Sequence, residues 1–354
     1  MASLKDVAKA ANVSIATVSR VLSEDETLSV ADTTRKRVYE SAKKLNYLSL
    51  SNKKKASLLN KKKSIGLIIF CSKDYEYEDE YFISIRRGIE AECLRFNLNI
   101  SSVVRQEKNW TEDTSLNDLH GVIVVGNISP ETVQQIYAKY NRVVFVDESP
   151  GTEKFDSVTS DFYSATIRLM EHLISLGHKN IGFIGGQEII HSSYQEPELD
   201  SIDNLEKLRF VPYKKIMERR GYYNDQHVYI GDWSTDAGYH LMNQAISKGQ
   251  LPTAFITASD PLAIGALRAL HDSGFHVPND VSIVSYNDVE LASYLNPPLT
   301  TAKVFSEEMG KSAVKLLNER MEGRDIPTKI VHPCKVQFRE SSSVNNQDNC
   351  SVTV

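Results

Sequence analysis

Ser14-Ile15-Ala16-Thr17-Val18-Ser19-Arg20, near the N-terminus, sets out side chains whose chemistry suits a DNA groove. Ile15 and Ala16 suit apolar contact with thymine methyl groups, and Arg20 suits a bidentate bond to guanine. Thr17, Ser19 and backbone amides suit phosphate oxygens. Ser14 is placed to cap the helix by accepting a backbone N–H bond. Val13, Val18, Val21 and Leu22 are spaced to plug a small core, and Ala8 permits a close crossing with the preceding helix. Asn12 falls at the turn between the two, where a left-handed backbone favours Gly and tolerates Asn. A recognition helix presents its N-terminal residues to base edges, so the pattern predicts a helix-turn-helix. A helical hairpin packed on another protein surface would share part of it.

A second set of polar residues lies at the ends of predicted strands. Asp147 follows Val143–Val146, Ser259 and Asp260 follow Ala254–Thr257, and Asn287 and Asp288 follow Ile283–Ser285. Open α/β sheets bind ligands outside the carboxyl ends of their strands. Carboxylates and amides suit sugar hydroxyls, and an aromatic face suits the C–H surface of the ring. Trp233 and the pair Tyr81-Phe82 are the candidate faces. The plainer alternatives are turn capping for Asp147 and Asn287 and core packing for Trp233. Asp260 and Asp288 suit holding the loops.

No enzyme signature competes. Gly182-Phe183-Ile184-Gly185-Gly186 lacks the dinucleotide spacing, and Gly121 to Gly126 resembles a phosphate loop until Asn127 stands where Lys is required. No GxSxG, HExxH or kinase set occurs. Cys71, Cys93, Cys334 and Cys350 form no CxxC pair and no zinc-finger spacing, so neither a metal nor a cofactor is expected. Scattered thiols suit a reducing compartment. The start of the chain lacks a signal-peptide core, and no apolar run reaches about 18 residues. The expectation is a cytoplasmic protein without a membrane span.

The elements needed to position these residues can be read from periodicity. Residues 4–47 predict three helices: Lys5 to Ala11, Ile15 to Leu22, and about Ala31 to Leu45, with Ser29 and Asp32 as start signals. Residues 48–63 are polar and basic and read as a hinge or linker. From Ser64 onward, strands (65–71, 100–104, 122–125, 143–146, 181–184, 228–230, 254–257, 282–285) alternate with helices (83–96, 164–176, 235–248, 262–273). This predicts two doubly wound parallel sheets, an α/β fold. A helix at Ser306–Met321 and one last strand near Lys329–Phe338 complete it. The expected lobes are about 64–161 with 291–322, and 162–290 with 323–340; 341–354 is expected to be a disordered tail.

Length and charge agree with several units. The 354 residues exceed one simple core. Residues 1–63 hold 14 Lys/Arg against 6 Asp/Glu, a net of +8, whereas the remainder holds 27 against 40, a net of -13. Only the head is suited to phosphate.

The run Leu4-x-Asp6-Val7-Ala8 through Arg20-Val21-Leu22 resembles the head of the LacI/GalR family of bacterial repressors. Asn12 in place of the turn Gly, and Ser23 in place of an Asn, are the departures. The body resembles the family's core, which is similar to periplasmic sugar-binding proteins. The resemblance is carried by Gly177-His178 to Gly186, Ala258-Ser259-Asp260 to Leu270, Val277-Pro278 to Ile283, and Asn287-Asp288 with Pro297 to Thr301.

That resemblance implies a homodimer on a palindromic operator, a small sugar effector, and in some members help from a phosphocarrier protein. It implies a hinge helix wedging a leucine into the minor groove. Lys53 falls in the usual stretch, and Leu58 or Leu59 would be the wedge in a shifted register; a flexible basic linker is the alternative. It also puts Asp147, Trp233, Ser259 and Asn287 on effector positions. Glu206 stands where the family usually carries an Arg, and Arg209 is the candidate substitute. Tyr81-Phe82, Phe145-x-Asp147 and Ser282–Asp288 resemble members that respond to galactose or β-galactosides; other sugars, sugar phosphates or purines are the alternatives, and a sugar-binding protein that does not bind DNA is the competing reading of the body.

Overall fold

A computed structural model describes residues 3–45 and 47 except 24, 26, 27 and 29; then 62–73, 76, 79–105, 115–150, 154–187 and 209–345. The chain divides into two units, Met1–Lys63 and Ser64–Val354.

In the first unit, α1 (Leu4–Ala11), α2 (Ile15–Leu22) and α3 (Asp32–Lys44) form a small bundle. Ser3 and Asp6 make a reciprocal capping box, the Asp6 carboxylate accepting Ser3 N–H at 2.8 Å. Asn12 is left-handed at φ 52°, as its place in the turn requires. Ser14 Oγ accepts Thr17 N–H at 3.0 Å and starts α2. Val7, Ala8, Ala11, Val18, Val21, Val38 and Ala42 make the core. The third helix starts at Asp32 with Ala31 before it and no side-chain cap; Ser29 lies outside the described residues.

The second unit contains two six-stranded sheets. The first runs β11-β5-β4-β3-β1-β2, from β1 (Lys63–Ile69), β2 (Leu98–Arg105), β3 (Gly121–Val125), β4 (Val143–Val146), β5 (Asp156–Ser160) and β11 (Lys329–His332). The second runs β12-β10-β9-β8-β6-β7, from β6 (Ile181–Gly186), β7 (Val228–Gly231), β8 (Ala254–Thr257), β9 (Ser282–Asn287), β10 (Thr300–Lys303) and β12 (Lys335–Gln337). β10 and β12 pair antiparallel, while β3 pairs parallel with β1 and β4, and β8 with β6 and β9.

The helices are α4 (Glu80–Arg95), α5 (Pro130–Ile136), α6 (Phe162–Ser175), α7 (Phe210–Arg219), α8 (Thr235–Ser247), α9 (Asp260–Asp272) and α10 (Ser306–Met321). α4 and α10 cross at two glycines. A Cβ at Gly88 would lie 2.0 Å from the Glu307 carbonyl oxygen, and one at Gly310 would lie 2.1 Å from that of Ile85. No helix among the described residues is long and apolar enough to cross a membrane.

Three boundaries differ from the sequence reading. β10 belongs to the second sheet, so the chain returns to the first lobe after Lys303 rather than near 291. The single strand expected near Lys329–Phe338 is two strands in different sheets, and the third crossing falls between them rather than near 322. Pro333 has no N–H to donate and separates the two ladders. Nor does order stop at 340: Ser341 is fully buried and its Oγ donates to the Ile283 carbonyl at 2.6 Å. The described chain continues packed to Asn345, whose N–H donates to the Leu176 carbonyl.

Candidate DNA interface and effector cleft

Within the head, Ile15, Ala16, Ser19 and Arg20 are exposed and fall at i, i+1, i+4 and i+5, on one side of α2. Ile15, 48% exposed, is a large apolar side chain left to solvent. Ser14 and Thr17 are partly committed to the helix start, because their hydroxyls bond each other at 2.8 Å. Lys53 and Leu58 lie outside the described residues, as do the hinge and its register.

In the second unit, the ends of strands from both sheets enclose a cleft of about 440 Å³. The first lobe contributes Phe70 after β1, Asp79, Tyr81 and Phe82 at the start of α4, Gly126 and Asn127 after β3, and Asp147 and Glu148 after β4. From the second lobe come Phe162, Gln187 after β6, Arg209 before α7, Asp232 to Ser234 after β7, Ser259 after β8, and Asn287 ending β9. All seven residues expected at an effector site (Tyr81, Phe82, Asp147, Arg209, Trp233, Ser259 and Asn287) line this one cleft.

Their environments are polar and largely buried. The Tyr81 hydroxyl donates to Asp147 Oδ1 at 2.5 Å. Burial pushes the Asp147 carboxyl above the usual range, opposed by that hydroxyl and by the Arg209 charge. Asp79 caps α4 by accepting Tyr81 N–H at 3.0 Å. Burial raises its pKa to about 6, against that backbone bond, and the Asp147 charge adds to the rise. The Arg209 guanidinium carbon stacks 3.7 Å from the Phe162 ring centre and 5.4 Å from that of Trp233. Trp233 Nε1 donates to the Gln187 carbonyl at 3.2 Å, so the indole edge is fixed.

Two cleft residues hold strained backbone: Asp147 at φ 73° and Asn287 at φ 108°. Such conformations cost about 1–3 kcal/mol each and persist where surrounding structure imposes them. Asn287 Oδ1 and Arg209 Nε are buried without a hydrogen-bond partner among the described residues. Ser259 has a second duty, since its Oγ also caps α9 by accepting Leu262 N–H. Asp260 and Asp288 hold loops instead. Asp260 accepts from Thr301 Oγ1 at 2.8 Å and Val289 N–H at 2.9 Å, and Asp288 accepts from Arg339 at 2.6 Å.

Asp79, Phe70, Asn127, Glu148, Phe162, Gln187 and Asp232 also line the cleft and were not among the expected effector residues. Asp79 had a visible signal, an acidic residue opening a helix that carries Tyr81-Phe82. Gln187 and Asp232 sit beside Gly186 and Trp233 with nothing in their own type to mark them.

Residues 3–49 match the model of the bacterial regulatory proteins, lacI family, and residues 170–342 match a periplasmic binding protein-like domain. The chain is 39% identical over 343 residues to the HTH-type transcriptional repressor MelR of Bacillus subtilis, covering 96% of this chain and 97% of that one. The chain belongs to the LacI family. It is 35% identical to the HTH-type transcriptional regulator GanR of B. subtilis, over 94% of this chain and 96% of that one. The same identity holds for the regulator GalR of Lacticaseibacillus casei, over 97% and 100%.

Among solved structures, a transcriptional regulator CelR–cellobiose complex superposes with TM-score 0.67 at 23% identity, over 97% of this chain and all of that one. The Lac repressor dimer bound to operator and the anti-inducer ONPF does so with TM-score 0.66 at 24% identity, over 97% and 99%. At those identities the likeness shows the fold. This LacI-family chain is a DNA-binding transcriptional repressor rather than an enzyme.

Proposed function

We propose that this repressor controls carbohydrate-use genes and is released from a palindromic operator by a small neutral sugar, galactose or a β-galactoside, bound in the cleft between its lobes. The supporting observation is the polar balance of the cleft. Asn287 Oδ1 and Arg209 Nε lack hydrogen-bond partners among the described residues, and hydroxyl groups are suited to supply them. Phe82 and Trp233 offer faces for the C–H surface of a sugar ring. Asp79, Asp147, Glu148 and Asp232 outnumber Arg209, the one Arg or Lys among the described lining residues, which disfavours a sugar phosphate. The kinship with MelR, GanR and GalR supports a sugar; 31% identity to the repressor PurR of Haemophilus influenzae keeps a purine as the other reading.

In this reading Ile15, Ala16 and Arg20 read bases, Ser14, Thr17 and Ser19 hold phosphates, and Lys53 and Leu58 act from the hinge. The protein works as a homodimer whose two heads match operator symmetry. Effector binding favours the closed lobes and shifts operator affinity only through its differential affinity for the two states. A phosphocarrier protein acts as co-regulator in this reading. Gel shifts on a palindromic site library, with and without galactose and lactose, test the proposal. Specific binding relieved by either sugar is expected. Binding indifferent to both but altered by a purine would replace the effector, and no specific binding at moderate salt would overturn the DNA-reading role.

A further inference from the structure

An acid follows α2 and pairs with its last-turn arginine. Arg20 Nε donates to Asp25 Oδ2 at 2.7 Å. The backbone locks the same two residues together: Asp25 N–H donates to the Arg20 carbonyl at 3.1 Å, and Ser23 Oγ donates to that carbonyl at 3.2 Å. The far side of the loop is tied by Leu28 N–H to the Asp25 carbonyl. From α3, the Tyr39 hydroxyl donates to the Val21 carbonyl at 3.2 Å, which anchors the end of α2. Asp25 therefore sits at a fixed place relative to Arg20 and grips the inner edge of its guanidinium. Both side chains remain partly exposed, at 45% and 30%.

We infer that Asp25 is a positioning residue for DNA reading: it orients Arg20 toward one base of each half-site and suppresses its use as a general phosphate contact. The inference rests on Arg20 being a base-reading residue. An arginine loses much rotamer freedom on making a bidentate base contact, and a side chain held beforehand loses less. Gripping the Nε edge suits this role, since a bidentate guanine contact uses the guanidinium fork. The carboxylate also offsets the charge that would otherwise draw Arg20 to any phosphate. Asp25 thus trades sequence-independent affinity for selectivity.

The test uses the full chain and measures discrimination, the ratio of Kd for the selected palindrome to Kd for sites with one base pair changed at each half-site position. Wild type, R20A, D25A, D25N and R20A/D25A are compared at fixed salt, with the salt slope for random DNA. R20A should lose roughly tenfold or more in discrimination at one position. D25A should lose roughly threefold to tenfold at that same position, with random-DNA affinity unchanged or raised. The double variant should match R20A, and D25N, which keeps a neutral acceptor, should fall between. A D25A effect spread evenly over all positions, a fall in affinity for all DNA, or additivity in the double variant would mean that Asp25 only supports the loop. An R20A effect with a silent D25A sinks the inference alone. A silent R20A sinks the base-reading role of Arg20, and the inference with it.

Discussion

Gly186 lies directly beneath the indole of Trp233. A Cβ on Gly186 would come within 2.2 Å of the ring, nearer than any real contact, and three indole atoms lie at that range. Gly186→Ala therefore has to move Trp233, whose Nε1 bond to the Gln187 carbonyl ties it to the neighbouring loop. The expected outcome is a weakening of sugar binding by about tenfold or more, equivalent to ~1.4 kcal/mol. Operator affinity without sugar should hold, because Gly186 lies in the second unit and the head is the first. Calorimetric titration with the inducing sugar reads the first and a gel shift the second. Unchanged sugar affinity would show that Trp233 is not part of the binding face.

If the effector bonds Asp79, its binding should be sensitive to pH. Burial raises its pKa to about 6 from the ordinary 3.8. A sugar hydroxyl donating to this group favours the carboxylate, so binding displaces a proton whenever the acid is partly protonated. Affinity should be full above about pH 7 and fall as pH drops through 6. Asp147, also raised by burial, pushes in the same direction. Asp79→Asn keeps an acceptor for Tyr81 N–H and should flatten the profile between pH 5 and 7. Identical profiles for the two proteins would remove Asp79 from the effector's contacts.

The helix-turn-helix was legible because its signals are local. Ser14, Asn12 and the inward valines act within a dozen residues, and each does in the structure what its type and spacing imply. The alternation of strands and helices was legible for the same reason. β5 and β10 were not, since Asp156-Ser157-Val158-Thr159-Ser160 and Thr300-Thr301-Ala302-Lys303 are polar runs made strands by their neighbours' open edges. The lobe crossings were misplaced because strand membership is decided by partners far away in the chain. Arg209 was found only as a substitute for a position assigned to Glu206, yet it lines the cleft; Glu206 itself lies outside the described residues.

The first lobe is braced by a buried acid with two arginines. Asp156 is fully buried and bonded by Arg320 Nε at 3.1 Å, by Arg324, and by Thr328 N–H at 2.7 Å. Arg320 is itself 4% exposed, so removing the acid leaves a buried charge uncompensated. Asp156→Ala should cost ~3–5 kcal/mol. Equilibrium denaturation in urea reads this, and a loss under about 1 kcal/mol would show that Arg320 finds water or another acceptor on mutation.

The segment after Glu340 works as a clasp on the second lobe. Ser341 Oγ accepts Thr300 N–H at 2.7 Å while donating to the Ile283 carbonyl, so one hydroxyl joins β10 to β9. Ser343 N–H donates to Ser282 Oγ at 3.1 Å, and its carbonyl lies 3.0 Å from His178 Nε2, whose ring also meets Thr253 through Nδ1. Truncation after Glu340 would orphan Thr300 N–H and both the N–H and the carbonyl of Ile283 in buried surroundings, and would take one acceptor from the His178 ring. At about 1–3 kcal/mol for each unsatisfied group, the loss should reach ~3 kcal/mol or more. Truncation after Asn345 keeps every one of these bonds and should lower the thermal midpoint by less than truncation after Glu340. Ser341→Ala, which removes only the hydroxyl, should fall between. If the two truncations melt together, the bonds from Ser341 to Asn345 contribute nothing net, and the second lobe is held by its apolar core alone.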